Sequence, residues 1–261
     1  MNHTIRFATL FLFFLLFASA QYTLSDIKQE GDITIDDSKL PTGLSAAEIA
    51  EGWTLLFDGQ SLNGWRNFRK STIGSSWKVA DGAIYLDAKK QENGHWQAAN
   101  GGDIITDGQF ENYELQLEWK IGDCGNSGII YNVVELESCE YVWQTGPEIQ
   151  VLDNTCHPDG KLENHRAGSL YDMIAPRKVA VKPAGEWNKV RLRVKNGKVK
   201  EWLNGKKIVE FEMFTPEWDK MIASSKFKDM PNFGKSRKGH IALQDHGDPV
   251  WYRNIKIKKL K

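Results

Sequence analysis

From Trp53 onward, apolar and polar residues alternate with period two over most of the chain. Successive side chains of a strand face opposite ways, so this alternation predicts half-buried β-strands. Tyr113 to Lys120 is the cleanest case, with Tyr113, Leu115, Leu117 and Trp119 on one face and Glu114, Gln116 and Glu118 on the other. Val190, Leu192 and Val194 alternate with Arg191, Arg193 and Lys195 in the same way. Asn196-Gly197 and Asn204-Gly205 are hairpin dipeptides on either side of a strand over Val199 to Leu203. Trp77 to Tyr85 reads as a hairpin turning at Asp81-Gly82. Further strands are predicted over Ile129 to Glu137, Pro147 to Asp153, Ile208 to Phe214, His240 to Gln244 and Trp251 to Ile257. Helical signals are few. Ser45-Ala46-Ala47-Glu48 is a capping box that opens a short helix ending near Gly52. Thr215 is a good N-cap, with Pro216 in the first helical position and Glu217 in the first turn of a helix reaching about Ser225. Lys226 to Lys238 reads as a polar loop. Short strands, Gly turns and no βαβ rhythm predict an all-β sandwich over residues 51–261, with a linker and the helix start over 21–50.

One strand breaks the rule of a plain core. In Pro147-Glu148-Ile149-Gln150-Val151-Leu152-Asp153, Ile149 and Val151 face one way, and Glu148, Gln150 and Leu152 the other. A Glu beside a Gln on one strand face suits a polar groove, and glycoside cleavage calls on carboxylates. Glu148 is the leading catalytic candidate. Asp153 falls on the opposite face unless a bulge re-aims it, or it simply ends the strand. Glu135 and Glu137 share a face, read as an exposed one. Asn126-Ser127-Gly128 reads as a turn before a strand, with Asn126 able to donate to and accept from a sugar hydroxyl. Gln244-Asp245-His246-Gly247 brings a second polar cluster to a strand end, and His246 offers an acid or base near neutrality. His165 to Asp172 places Arg166, for an anionic oxygen, near Tyr171, a proton donor, on a loop entering a strand. Ten tryptophans are present. Trp65, Trp96 and Trp143 sit in loop-like or polar surroundings and are candidates to stack on sugar rings. Trp53, Trp77, Trp119, Trp202 and Trp251 fit strand core positions.

The chain begins with a charged Arg6, an apolar run from Phe7 to Phe17 and Ala18-Ser19-Ala20, the pattern of a cleaved signal peptide over residues 1–20. Export to the periplasm or beyond follows, without a membrane anchor, because the apolar run falls short of the roughly 20 residues a span needs. The 34 basic and 34 acidic residues balance. Their spread argues against a nucleic-acid partner, and the C-terminal Lys256, Lys258, Lys259 and Lys261 read as solvated strand lysines. Export permits a disulfide among Cys124, Cys139 and Cys156. Cys124 and Cys139 flank a strand pair and could be neighbours, but the pairing stays open.

The ordered motifs resemble those of the 3-keto-disaccharide hydrolase domain family. They are Trp53 to Gly59, Leu62 to Trp65, Asn126 to Ile129, Gly146 to Asp153, Gly185 to Asn188, Trp202 to Gly205, Gly239 to Gly247 and Arg253 to Ile255. The resemblance implies a concanavalin A-like jelly-roll β-sandwich and cleavage of glycosides already oxidised to a ketone at sugar C3. The ketone would come from an upstream sugar 3-dehydrogenase. The implied chemistry needs a base, a proton donor and an oxyanion stabiliser. On this reading Glu148 and His246 are the catalytic pair. Asn126, Gln150, Tyr171, Asp153, Gln244, Trp65 and Trp143 bind substrate, and Arg166 steadies the enolate. The Glu148 strand also resembles the catalytic strand of jelly-roll glucanases, yet carries Gln150 where they place an Asp. The resemblance further implies an Arg at the position of Tyr131, whose absence would alter a subsite. No cofactor is assigned. Jelly rolls of this kind often hold a structural calcium, for which the chain shows no dense carboxylate loop. A non-catalytic carbohydrate-binding module and a conventional glycosidase, using Glu148 with Asp153 or Glu135, are the alternatives.

Overall fold

Ser45 caps the first helix, α1 (Ala46–Ala50), through both bonds of the capping box. Thr215 caps the second, α2 (Pro216–Ala223), with its hydroxyl accepting from the Trp218 N–H at 3.2 Å. Both follow the sequence signals. The structure, a computed structural model, describes residues 43–261 apart from Asn93. The signal peptide over 1–20 and most of the linker lie outside the described residues. No helix among the described residues is long and apolar enough to cross a membrane.

The strands run in chain order from β1 (Trp53–Leu55), β2 (Trp65–Asn67), β3 (Trp77–Ala80) and β4 (Ala83–Leu86) to β5 (Ala88–Lys90). Next come β6 (Trp96–Ala98), β7 (Ile104–Thr106), β8 (Tyr113–Ile121), β9 (Asn126–Val133) and β10 (Glu148–Leu152). The last are β11 (Asn188–Lys195), β12 (Lys198–Leu203), β13 (Lys206–Glu212), β14 (His240–Leu243) and β15 (Val250–Lys259). One sheet has the order β13-β12-β11-β8-β15-β4-β3, with β1 added beside β15. The other has the order β10-β9-β14-β7-β2, and β5 pairs with β6 alone. Between the two large sheets lies the apolar core. It takes Tyr113, Leu115, Leu117 and Trp119 from β8, and Ile129, Tyr131, Ile149, Val151, Ile241 and Leu243 from the five-stranded sheet. This is an all-β sandwich, as the alternation predicts, and a jelly roll, as the resemblance implies.

The five-stranded sheet is buried on both faces, and its outer face positions the site. Ile105 on β7, Ile130 on β9 and Ala242 on β14 form a small apolar cluster there with Phe68, Val133 and Val142. Trp143 packs against it from the 3₁₀ turn Val142–Gln144. The rest of that face is polar. The free edge of β10 is covered by the segment after Arg166. There the Gln150 N–H donates to Ser169 O at 3.1 Å, and the Gly168 and Tyr171 N–H groups donate to Gln150 O and Glu148 O at 2.8 and 3.1 Å. An edge strand so covered cannot pair with another chain.

Several expectations are corrected. Asn126-Ser127-Gly128 is the start of β9, not a turn, and β9 ends at Val133. Glu135 and Glu137 therefore lie beyond it. Glu135 is not a free surface carboxylate, since it grips the Arg66 guanidinium at 2.8 and 2.7 Å. Trp65 is a core residue of β2, 5 % exposed, and its indole N–H donates to Leu56 O at 2.6 Å. It is therefore no sugar platform. Tyr131 faces the core, so its identity does not shape a groove subsite. The disulfide joins Cys124 to Cys156, and Cys139 is a buried thiol. That bridge closes 32 residues of chain and contributes about 3–4 kcal/mol by loop-closure entropy. Of the C-terminal lysines, Lys256 and Lys258 are paired with Glu48 and Glu51 of the first helix region.

Candidate active site

Strand β9 lies beside β10 with Gly128 opposite Gln150 and Ile130 opposite Glu148. A Cβ on Gly128 would lie 2.3 Å from the Glu148 Oε1 and 2.8 Å from its Cδ. The glycine is there for clearance, leaving the floor of the outer face open for the Glu148 carboxyl. Gly128→Ala is therefore expected to turn that carboxyl away and lower kcat/KM by about 10²-fold, with the β circular-dichroism signal retained. Unchanged turnover would mean that the carboxyl position is immaterial.

The polar end of the face forms a cavity of about 230 Å³ lined by Asn126, Trp143, Glu148, Gln150, Tyr171, Lys226, Gln244 and His246. Glu148 is 5 % exposed, and no group among the described residues donates a hydrogen bond to its carboxyl. Burial raises its pKa to about 7, with Asp103 and Asp159 adding to the shift and Lys226 and His246 opposing it. Among the described residues, Glu148 is the one carboxyl lining the cavity.

His246 stands at the rim with its side chain 48 % exposed. Its Nδ1 is 3.6 Å from Asp248 Oδ2, and its Nε2 is 3.4 Å from Asn126 Nδ2. Asp248 raises the imidazole pKa above its ordinary value, against partial desolvation. Asp248 also accepts from the Asn126 N–H at 3.0 Å, so one carboxylate ties together the start of β9 and the histidine. Asp245 does not orient the ring. It pins the loop instead, accepting from the Gly247 N–H at 2.8 Å and the Gly102 N–H at 2.6 Å.

Asn126 Oδ1 and Gln244 Oε1 are buried acceptors without a partner among the described residues. Gln150 Oε1 accepts from the Val151 N–H at 3.1 Å, which leaves its amide N–H groups unengaged by the described residues. Orphaned acceptors beside spare donors are costly unless a ligand or water meets them, and hydroxyl groups do both. Tyr171 donates its O–H to Asp159 Oδ2 at 3.0 Å and packs on the His165 ring at 4.4 Å between centroids. Trp143 stacks on the exposed Tyr141 ring at 5.2 Å.

The cavity thus gathers Glu148, His246, Asn126, Gln150, Tyr171, Gln244 and Trp143 from the sequence candidates. It does not include Asp153, Arg166 or Trp65. Asp153 is not on the strand: β10 ends at Leu152, and Asp153 turns into the loop that follows. There it accepts from the Thr155 N–H and hydroxyl and from the Cys124 N–H, fixing the disulfide loop. Arg166 turns away to donate to Gly160 O at 2.9 Å and lines a separate concavity with Glu163 and Arg177. Lys226 is the lining residue that sequence reasoning missed. It follows α2 at the head of a loop, and no local spacing marks it. As for calcium, the tight cluster of candidate ligands among the described residues is Cys124, Asp153 and Cys156. It is a disulfide beside a carboxylate already accepting hydrogen bonds, and it does not fit an oxygen shell.

The fold and cavity define a jelly-roll sandwich with a polar pocket, of sugar-ring size, built around one buried acid. The chain belongs to the 3-keto-alpha-glucoside-1,2-lyase-like domain family, whose model matches residues 52–258. It is 38 % identical over 232 residues to the 3-keto-disaccharide hydrolase of Bacteroides thetaiotaomicron, covering 81 % of this chain and 79 % of that one. Among solved structures it is similar to a candidate glycosyl hydrolase from Parabacteroides distasonis, with 34 % identity and a TM-score of 0.75. That match covers 84 % of this chain and 99 % of the other. A second candidate glycosyl hydrolase from the same organism matches at 26 % identity and a TM-score of 0.58, covering 80 % of this chain and 99 % of that one.

Proposed function

We propose that the chain cleaves 3-keto-glycosides or 3-keto-disaccharides by eliminating the C1 substituent and then adding water. The observation that carries this reading is that one carboxyl, raised to about 7, lines the cavity among the described residues. Direct displacement at a glycosidic carbon uses two flanking carboxylates. A C3 ketone removes that need by acidifying the C2 hydrogen. Glu148 takes that proton, and the C–H electron pair forms C2=C3 as the carbonyl pair moves onto the C3 oxygen. The ketone then re-forms, the double bond shifts to C1=C2, and the C1–O bond breaks with its pair on the leaving oxygen. His246 gives that oxygen a proton. In the second stage water adds to C1 and loses a proton to His246, while Glu148 returns its proton to C2. Both groups end as they began. A base with a pKa near 7 suits this task better than an ordinary glutamate, which is too weak. The names of the family and of its Bacteroides relative support the two stages, lyase and hydrolase respectively.

The ketone must come from a dehydrogenase acting on the C3 hydroxyl, and the N-terminal pattern through Ala20 supports action outside the cytoplasm. The test is aglycone release from matched glucosides with and without a 3-keto group. Release from the oxidised set alone is expected. Equal release from both would replace this reading with a conventional glycosidase, and binding of both without release would replace it with a carbohydrate-binding module.

A further inference from the structure

The elimination places negative charge on the C3 oxygen, and something must hold it there. Arg166, the residue the sequence offers for this, faces away from the cavity. Two other cationic side chains line the cavity, His246 and Lys226. His246 is engaged by Asp248 and Asn126. Lys226 is not engaged. Its ammonium has no hydrogen-bond acceptor and no carboxylate within 4.0 Å among the described residues. It lies instead 4.1 Å from the centre of the Tyr171 ring, 5.2 Å from Phe227 and 5.8 Å from Trp143. Aromatic faces hold a cation without occupying its N–H donors. The backbone beneath it is fixed. The Lys226 N–H donates to Asp172 Oδ2 at 2.6 Å, and the other oxygen of Asp172 meets His165 Nε2 at 2.8 Å. Phe227, next in the chain, stacks on Phe233 at 3.9 Å. Although Lys226 is exposed, its ammonium stays over Tyr171 and Trp143, two rings that line the cavity.

We infer that Lys226 is a catalytic residue, whose ammonium donates a hydrogen bond to the C3 oxygen and holds the charge that develops there as Glu148 removes the C2 proton. This rests on the keto-dependent elimination proposed above. Partial desolvation also lowers the Lys226 pKa, with Glu148, Asp172 and Asp159 opposing. A more acidic ammonium is a stronger hydrogen-bond donor to an enolate oxygen than an ordinary lysine. No covalent bond to the lysine is involved. The ammonium keeps its proton through the step and releases the oxygen when the carbonyl re-forms.

The test compares wild type with Lys226→Met and Lys226→Arg, reading turnover of a 3-keto-glucoside and exchange of its C2 hydrogen with D2O by NMR. Lys226→Met is expected to lose about 10²–10³-fold in kcat, with little change in KM and with C2 exchange slowed in proportion. Lys226→Arg, which keeps the charge and the aromatic contacts, should recover part of that loss. A Lys226→Met protein that keeps its kcat, or loses only in KM, would overturn the assignment while leaving the elimination standing. Wild-type turnover indifferent to the ketone would overturn both.

Discussion

Glu148→Gln is expected to lower kcat/KM on a 3-keto-glucoside by at least about 10³-fold, because glutamine keeps the shape of the side chain and cannot take a proton. The pH profile of the wild type carries the same information. Glu148 must be ionised to act as base, so activity should rise through about pH 7, where it loses its proton. His246 must be protonated to act as acid, and its raised pKa places the descending limb above the ordinary histidine range. Stability should move the other way. A carboxyl whose folded pKa lies above its unfolded value is ionised in the unfolded chain first, so its presence costs stability as pH rises from about 4.5 to 7. Glu148→Gln removes that cost. At pH 8 it should be more stable than wild type by roughly 1–3 kcal/mol, while being nearly inactive. Damage to the fold cannot produce that combination. Near-wild-type turnover in a folded Glu148→Gln protein would remove Glu148 from the mechanism.

The parts of this fold legible in the sequence are those whose cause is local. β8, β11 and β12 show because alternation persists over six residues or more and Asn-Gly dipeptides mark the turns. The two helices show because their caps are side chains within a few positions of the helix start. β2 and β7 do not show, since three residues are too few to establish a period. The candidate site divides in the same way. Glu148 and Gln150 stand out as polar residues on one face of an otherwise apolar strand. Asn126-Ser127-Gly128 has the composition of a turn, and only the neighbouring Glu148 explains why a strand carries a glycine there. Lys226 could not be read at all. Its place depends on Asp172, Tyr171 and Trp143, which chain folding brings from two distant segments. Arg166 is the converse case, chemically suitable but turned away by a bond to Gly160 O.

The largest stability effect is expected inside the sandwich rather than in the cavity. Glu201 on β12 is 0 % exposed. Its Oε1 accepts from the Tyr131 hydroxyl at 3.3 Å, and its Oε2 has no partner among the described residues. A basic side chain in contact would supply a counter-charge. Tyrosine supplies only a neutral donor, and burial raises the Glu201 pKa to about 8. Below about pH 4.5 the carboxyl is neutral in both states, and its ionisation adds no cost. Between about 4.5 and 8 the unfolded chain ionises while the folded one stays protonated, so stability falls by about 1.4 kcal/mol per pH unit. Above 8 the loss levels off. Glu201→Gln has the same size and no ionisation. Its advantage over wild type should therefore grow with pH to roughly 3–5 kcal/mol at pH 9, a rise of about 10 °C in Tm, with kcat unchanged because Glu201 does not line the cavity. Thermal melts of both proteins from pH 4 to pH 9 test this. Curves that run parallel over that range would show that Glu201 ionises as readily folded as unfolded, and that the Tyr131 hydroxyl suffices to hold a buried carboxylate.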